Sequence, residues 1–346
     1  MIVAVTDAHT KHAKDAIHGL PYDVHAIAPR GIAAGFFLRN VKRKSVVRFH
    51  DVDKLLRLVS EDDVLMPIGF ERRVDLSKNV KRIKPKHLIG EFDKTVKLGY
   101  DKYYGLMKAS EYLEIPRTRL PEEAPKRFPL VVKGRFGGFA YVVRNERELK
   151  KALEIVKDPM IQEYVPGRGV GYFAIARDGV IYAEYMHRRI VEYPLDGGPS
   201  VVAETIRIED VAKDARRFLE SIGRTGPVML EFRYDGNKAK LIEINAKFWG
   251  SLGLGIAAGV NMPEIYVRLA LGEDPGYKRG KTGVRYFRIV PDGIRLLLAA
   301  PSVFLRWFKE ALKGRVKHNV YSLRALPIEV ITGVYTFFKT PRKRRL

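Results

Sequence analysis

The 346-residue chain has no cysteine, which removes disulfides, zinc–thiolate sites and cysteine nucleophiles together. Any metal must then rest on oxygen or imidazole ligands, which suits magnesium or manganese better than zinc. Glutamine occurs once, as Gln162. Scarce amides, absent cysteine and 30% charged residues point to a protein of a high-temperature organism. No run of 18 uncharged apolar residues is present, so no membrane-spanning helix is expected. The opening Met1-Ile-Val-Ala-Val-Thr-Asp7 reads as a strand, without the basic segment and apolar core of a secretion signal. The expected compartment is the cytoplasm.

Hydrophobic residues make up 46% of the chain, ordinary for a folded protein of two or three compact units. The net charge of +23 is uneven: residues 277–346 hold 17 Lys and Arg against 3 Asp and Glu. Such asymmetry suits a polyanionic partner, either nucleic acid or an anionic membrane face, or else a solvated basic tail.

Along residues 1–95, short apolar runs at Ile2–Val5, Val24–Ile27, Val46–Phe49 and Val64–Ile68 read as strands. Helical spacing at Ala13–Leu20 and Asp53–Val59 separates them, predicting a small parallel sheet flanked by helices. No G-x-G-x-x-G follows the first strand, so a dinucleotide site is not expected there. Asp101–Leu113 reads as a helix with Asp101 as N-cap. A strand at Leu130–Lys133 leads into the glycine loop Gly134-Arg-Phe-Gly-Gly-Phe-Ala140. A helix at Glu146–Val156, strands at Met160–Tyr164, Tyr172–Ala176 and Val180–Tyr185, and helices at Asp210–Ile222 and Met262–Leu271 follow, with Asp178-Gly179 as a hairpin turn.

The most informative region is the hairpin from Met229 to Asn245. With Gly236, Asn237 and Lys238 as its loop, Glu231 falls opposite Glu243, and period-two alternation puts Asn245 on the same face. Facing carboxylates lie about 5 Å apart at Cβ and repel. A cation between them relieves that repulsion, and three oxygen side chains on one face suit Mg²⁺. Leu230, Phe232, Ile242 and Ile244 on the other face should fix the register. The plain alternative is a solvated polar face.

Four motifs in order give the chain, over residues 1–275, a resemblance to the ATP-grasp superfamily. Glu243-Ile-Asn-Ala-Lys-Phe-Trp-Gly-Ser251 resembles its metal-site strand and following turn, and Val131-Val-Lys133 with the glycine loop resembles its phosphate-binding flap. Met160-Ile-Gln-Glu-Tyr-Val-Pro-Gly167 resembles the adenine-contacting hinge, and Asp101-Lys102 matches the position of the first ATP lysine. The nearest branch is the carbamoyl-phosphate-synthetase-like carboxylate–amine ligases. The resemblance implies an α/β (α+β) fold: a pre-grasp domain at 1–95, a linker at 96–128, a flap domain at 129–195, a metal-bearing domain at 196–275 and a basic extension at 276–346.

It also implies the site. Lys102 and Lys133 would neutralise ATP phosphates, with the backbone of Arg135, Phe136, Gly137 and Gly138 closing over them. Glu163 and Val165 would read the adenine edge beside Tyr164, and Gln162 would add an amide contact. Glu231, Glu243 and Asn245 would hold Mg²⁺ or Mn²⁺. Lys247 stands where related enzymes often place an arginine near the acyl-phosphate, and Arg189, in Tyr185-Met-His-Arg-Arg-Ile190, would meet a substrate carboxylate or the leaving phosphate. Arg188 points to the opposite face, and His187 is equally readable as a plain strand residue. The implied reaction activates a carboxylate as an acyl-phosphate and joins it to an amine, releasing ADP and phosphate.

Three positions depart from the family pattern. The flap has few glycines, Lys247 replaces arginine, and the stretch Pro166-Gly-Arg168-Gly-Val-Gly171 lacks the acidic residue that holds a ribose. A nucleotide-binding module without catalysis and a nucleic-acid-associated basic protein are the alternatives in other classes. In the last 70 residues, Ile294–Phe308 and Val330–Phe338 are apolar beside basic clusters. They suit either an anchor lying on an anionic membrane, peripheral to its inner face, or helices packed on the core.

Overall fold

The computed structural model describes residues 1–123, 127–138, 140–195 and 197–339. Phe139 of the glycine loop, Asp196 of the turn after Pro194 and the basic run Arg342–Arg345 lie outside them. The first of three sheets is parallel, in the order β3-β2-β1-β4-β5. It comprises β1 (Val3–Val5), β2 (Val24–Ala28), β3 (Val41–Val46), β4 (Val64–Met66) and β5 (Lys86–His87), with helices α1 (Lys11–Gly19), α2 (Val52–Arg57) and α3 (Phe70–Lys78) between them. Every residue of β1, β2 and β4 is buried, as parallel strands covered on both faces require. The third strand is Val41–Val46, not Val46–Phe49. It is a sheet edge whose Lys42, Arg43 and Lys44 face water, so it lacks an apolar run. Helix α3 escapes sequence reading because it buries Arg72 and Arg73.

Helices α4 (Lys97–Tyr100) and α5 (Lys102–Ala109) lead into a four-stranded antiparallel sheet ordered β6-β9-β7-β8. Its strands are β6 (Thr118–Arg119), β7 (Leu130–Gly134), β8 (Ala140–Val143) and β9 (Pro159–Glu163), covered by α6 (Glu146–Ile155). Leu130, Val132, Val143, Ala152 and Ile161 form its own small core.

The third sheet has eight strands, seven of them in the order β14-β13-β10-β11-β12-β16-β17. Its first part is β10 (Arg168–Arg177), β11 (Val180–Glu192), β12 (Ser200–Ile206), β13 (Gly226–Tyr234) and β14 (Ala239–Asn245), with α7 (Glu209–Ser221), α8 (Leu252–Ala257) and α9 (Met262–Ala270). Asp178 and Gly179 turn the β10–β11 hairpin with φ of 51° and 87°, the left-handed pair such a turn needs. β10 and β11 lie between β13 and β12 in this sheet, so residues 168–192, expected with the flap, pair with the large sheet, and the four-stranded sheet ends with β9 at Glu163.

The C-terminal segment is likewise not an appendage. β15 (Lys278–Arg279) pairs with β11, β16 (Arg285–Phe287) with β12, and β17 (Lys317–His318) with β16. Between and after them run α10 (Ile294–Ala299), α11 (Pro301–Leu312) and α12 (Leu326–Lys339). Phe287, Leu296, Phe304, Trp307 and Phe337 share one core with Val191, Tyr193, Val201 and Val202. Buried ions tie the segment to α1: Arg288 to Asp15 at 2.6 Å, Lys11 to Asp292 at 2.6 Å, and Lys14 to Glu329. Among the described residues no helix is long and apolar enough to cross a membrane.

Candidate active site

Glu231 on β13 and Glu243 on β14 are directly opposed, and Asn245 is paired with Met229 two residues further along. The route to this register differs from the expected one. Tyr234 pairs with Ala239, leaving a four-residue loop, and the register then shifts between Glu231 and Phe232. The extra residue is Ile242, so Leu241, not Ile242, joins Leu230, Phe232 and Ile244 among the buried residues. A bulge bends its strand and frees a backbone group from the ladder. Here the Ile242 carbonyl accepts a hydrogen bond from Lys133 Nζ at 2.6 Å.

Cations surround these carboxylates. Lys102 Nζ lies 3.5 Å from Glu243, and Arg189 is ion-paired to Glu231. Burial acts to raise the Glu243 pKa, but Lys102 and then Lys133 outweigh it and hold it below the usual carboxylate range. Lys133 is only 5% exposed; burial, partly offset by Glu243, brings its ammonium down to about 8. Among the described residues no group of three or more His, Cys, Asp or Glu converges as a metal cage. The donor set is two carboxylates and an amide, which fits an ion that takes its other ligands from phosphate and water.

The flap is anchored rather than free. Arg135 donates to Asp101 through Nε and Nη2, at 2.7 and 2.6 Å, and its N–H donates to Asp158 O at 2.8 Å. That N–H is therefore not available to phosphate, contrary to the expected role of the Arg135 backbone. Gly137 and Gly138 are exposed with φ of 135° and 91°, conformations that glycine adopts freely. At the hinge the Gln162 amide is buried and donates to Thr118 Oγ1 at 3.0 Å. The Glu163 N–H donates to Arg117 O at 2.8 Å. Each residue therefore has one donor engaged inside the small sheet. Tyr164 and Val165 follow at the crossing to β10, with Tyr164 exposed.

Lys247 follows β14 and faces the parallel sheet. Burial lowers its pKa, while Glu243, Glu71 and Asp7 pull upward, so both domains contribute charge around one ammonium. Arg189 is held by Glu231, by Glu192 at 3.1 Å and by the Gly198 carbonyl at 3.0 Å. Arg188 lies on the other face, paired with Glu204. His187 stands in one rank with Gly171, Glu231 and Glu243 across the sheet. Its ring nitrogens are buried without a partner, and burial with Arg189 nearby takes it down to about 3.

Sequence reading missed the contribution of the first sheet. Asp7 adopts φ of 59° and accepts from the Gly69 N–H at 2.8 Å, a strained backbone of the kind that collects at functional sites. His12, in the first turn of α1, has a buried Nδ1 without a partner. Burial, then Lys247, Lys11 and Arg288, hold its pKa well below the ordinary value. The signal was present in Thr6-Asp-Ala-His-Thr-Lys-His12, directly after a parallel strand, where open α/β sheets place their ligands.

These features are those of the ATP-grasp fold, and comparison with known proteins agrees. Residues 156–289 match the model of a family described as ATP-grasp in the biosynthetic pathway with Ter operon. No curated protein matches the chain by sequence. Among solved structures, the chain is similar to N5-carboxyaminoimidazole synthetase from Staphylococcus aureus complexed with ADP, with TM-score 0.71 and 14% identity over 90% of this chain and 86% of that one. It is also similar to L-amino acid ligase from Bacillus licheniformis, with TM-score 0.61 and 17% identity over 78% and 74%. The biotin carboxylase domain of Hydrogenobacter thermophilus 2-oxoglutarate carboxylase gives 0.68 and 13% over 82% and 73%.

Proposed function

We propose that the chain is an ATP-dependent ligase that activates a carboxylate as an acyl-phosphate and joins it to an amine. The observation that carries this reading is the facing pair Glu231 and Glu243, with Lys102, Lys133 and Lys247 gathered around Glu243. Two acids and three ammonium groups in one cleft suit a polyphosphate and the charge that develops during its transfer. Glu231, Glu243 and Asn245 would hold magnesium or manganese, which supplies charge neutralisation at the γ-phosphate when bound.

The chain's own residues divide the remaining work. Lys102 and Lys133 bind and orient the phosphates, and Gly137 and Gly138 let the flap approach them. Tyr164 and Val165, at the crossing to β10, would border the adenine. A substrate carboxylate oxygen attacks the γ-phosphorus, the bond to ADP breaks, and Lys247 and Arg189 steady the acyl-phosphate. The amine then attacks the acyl carbon, phosphate leaves, and the amine releases a proton. Water takes that proton, because burial and the neighbouring cations leave His12 too weak a base to do so. A cytoplasmic setting supplies the ATP.

The test is incubation with ATP, magnesium and pooled carboxylates and amines, following ADP, phosphate and new amide masses. The proposal expects release of ADP and phosphate that depends on both pools. ATP binding with no turnover above the substrate-free rate in any pool would sink it.

A further inference from the structure

We infer that α12, with the basic end of α11, forms a face that lies on an anionic lipid surface. This inference is independent of the ligase reading. α12 packs one side inward and carries an apolar stripe on the opposite side. Glu329, Gly333 and Phe337 are buried, and Gly333 packs closely on Pro291 and Ile294. On the other side Ile331, Val334, Tyr335 and Phe338, spaced i, i+3, i+4 and i+7, face water. Ile331 is 67% and Phe338 74% exposed. Leu323, just before the helix, is 80% exposed, and Leu312, at the end of α11, is 73% exposed. A helix apolar all round is ordinarily buried on all sides, and this one has an uncovered stripe.

Charge identifies the occupant. Lys309, Lys313, Arg315, Lys317 and Lys339 are exposed in the same segment. Its two carboxylates are already engaged, Glu310 with Lys313 and Arg315, and Glu329 with Lys14. A second copy of the chain would bring the same positive charge to the contact and be repelled. An anionic bilayer offers apolar depth and opposite charge together. The helix has 14 residues, about 21 Å at ~1.5 Å per residue, against a hydrocarbon core of about 30 Å, so it would lie along the surface rather than cross it.

The test is sedimentation of the full-length protein with phosphatidylglycerol-containing vesicles and with pure phosphatidylcholine vesicles. Wild type should pellet with the anionic vesicles, less at high salt, and stay in solution with the neutral ones. Ile331→Ser/Phe338→Ser should weaken binding roughly tenfold or more, the scale set by withdrawing two large apolar side chains, with unchanged melting. Lys309→Glu/Lys313→Glu should weaken binding mainly at low salt, a second readout if the serine variant folds poorly. Wild type remaining in solution with anionic vesicles at low salt overturns the proposal. So does equal pelleting of the serine variant, which would make the site a general polyanion patch, nucleic acid included. A lipid-free dimer dispersed by the serine variant overturns it in favour of self-association.

Discussion

Arg135 and Asp101 form a two-pronged ion pair that joins the flap to the helix carrying Lys102. Both guanidinium bonds are short, at 2.7 and 2.6 Å, and the same carboxylate caps α5 by accepting the Tyr104 N–H at 3.1 Å. The Lys102 N–H in turn donates to Arg135 O at 3.0 Å. Flap position and lysine position are therefore one variable.

Asp101→Ala should cost more than Arg135→Ala, since it removes cap and pair together. A cap contributes about 1 kcal/mol, and the pair adds up to about 1 kcal/mol because Arg135 is one-third exposed. Burial acts to raise the Asp101 pKa, but Arg135 and the helix N–H groups outweigh it, leaving it below 3.8. A carboxylate of lowered folded pKa stabilises above its unfolded value and loses that contribution as pH falls through the folded one. In urea melts the wild-type advantage over Asp101→Ala should accordingly shrink below about pH 4. Equal costs for the two variants would contradict the dual role.

Lys133 gives a proton-linked signature. Its folded pKa of about 8 lies below that of a free lysine, so the empty protein loses this proton as pH rises through 8. ATP phosphates favour the charged form, so binding near pH 8.5 should take up a proton, and affinity should fall with rising pH. Calorimetry in buffers of different ionisation enthalpy measures the uptake. Lys133→Met should abolish it while retaining the fold. Uptake unchanged in that variant would remove Lys133 from the phosphates.

Glu243→Gln should abolish turnover. On sequence grounds alone, relief of the Glu231–Glu243 repulsion would leave stability equal or higher without metal. The structure reverses that sign, because Arg189 already neutralises Glu231 while Lys102 and Lys133 depend on Glu243. The variant should therefore be less stable without magnesium, by about 1 kcal/mol for a partly exposed pair. Differential scanning calorimetry decides the sign, and turnover within threefold of wild type would discard the assignment.

Asp15→Ala should be the most damaging single change. It leaves Arg288, whose side chain is 2% exposed, with only the longer Asp292 contact at 3.8 Å and the Gly250 carbonyl, and breaking a buried pair costs about 3–5 kcal/mol. Truncation after Pro291 should likewise abolish the native fold rather than leave a competent ATP-binding core, because it removes Glu329 from Lys14, Asp292 from Lys11 and half of the core around Trp307. Intact two-state melting of the truncated chain would contradict this.

The elements that sequence exposed were those with one clean face. The β13–β14 hairpin has alternating acids and apolar residues, so its facing carboxylates were legible even though its loop and bulge were not. The bulge leaves no mark in composition, because Ile242 and Leu241 are both apolar and either can point inward. Edge strand β3 and helix α3 were hidden by charge in opposite ways, one exposing its cations and the other burying them. Gln162 and Glu163 were placed by position in a motif, while the pairing of β9 with β6 that engages one donor of each depends on residues more than 40 positions earlier.

Lys133 also links the two sheets. Its ammonium, carried on the small sheet, donates to a carbonyl of the large one, the one that the bulge at Ile242 turns outward. An ammonium has three N–H donors, so in the proposed role Lys133 would reach a phosphate oxygen without leaving Ile242. The bulge would then aim the remaining donors, and the strand that carries Glu243 would steer the lysine that stands beside it.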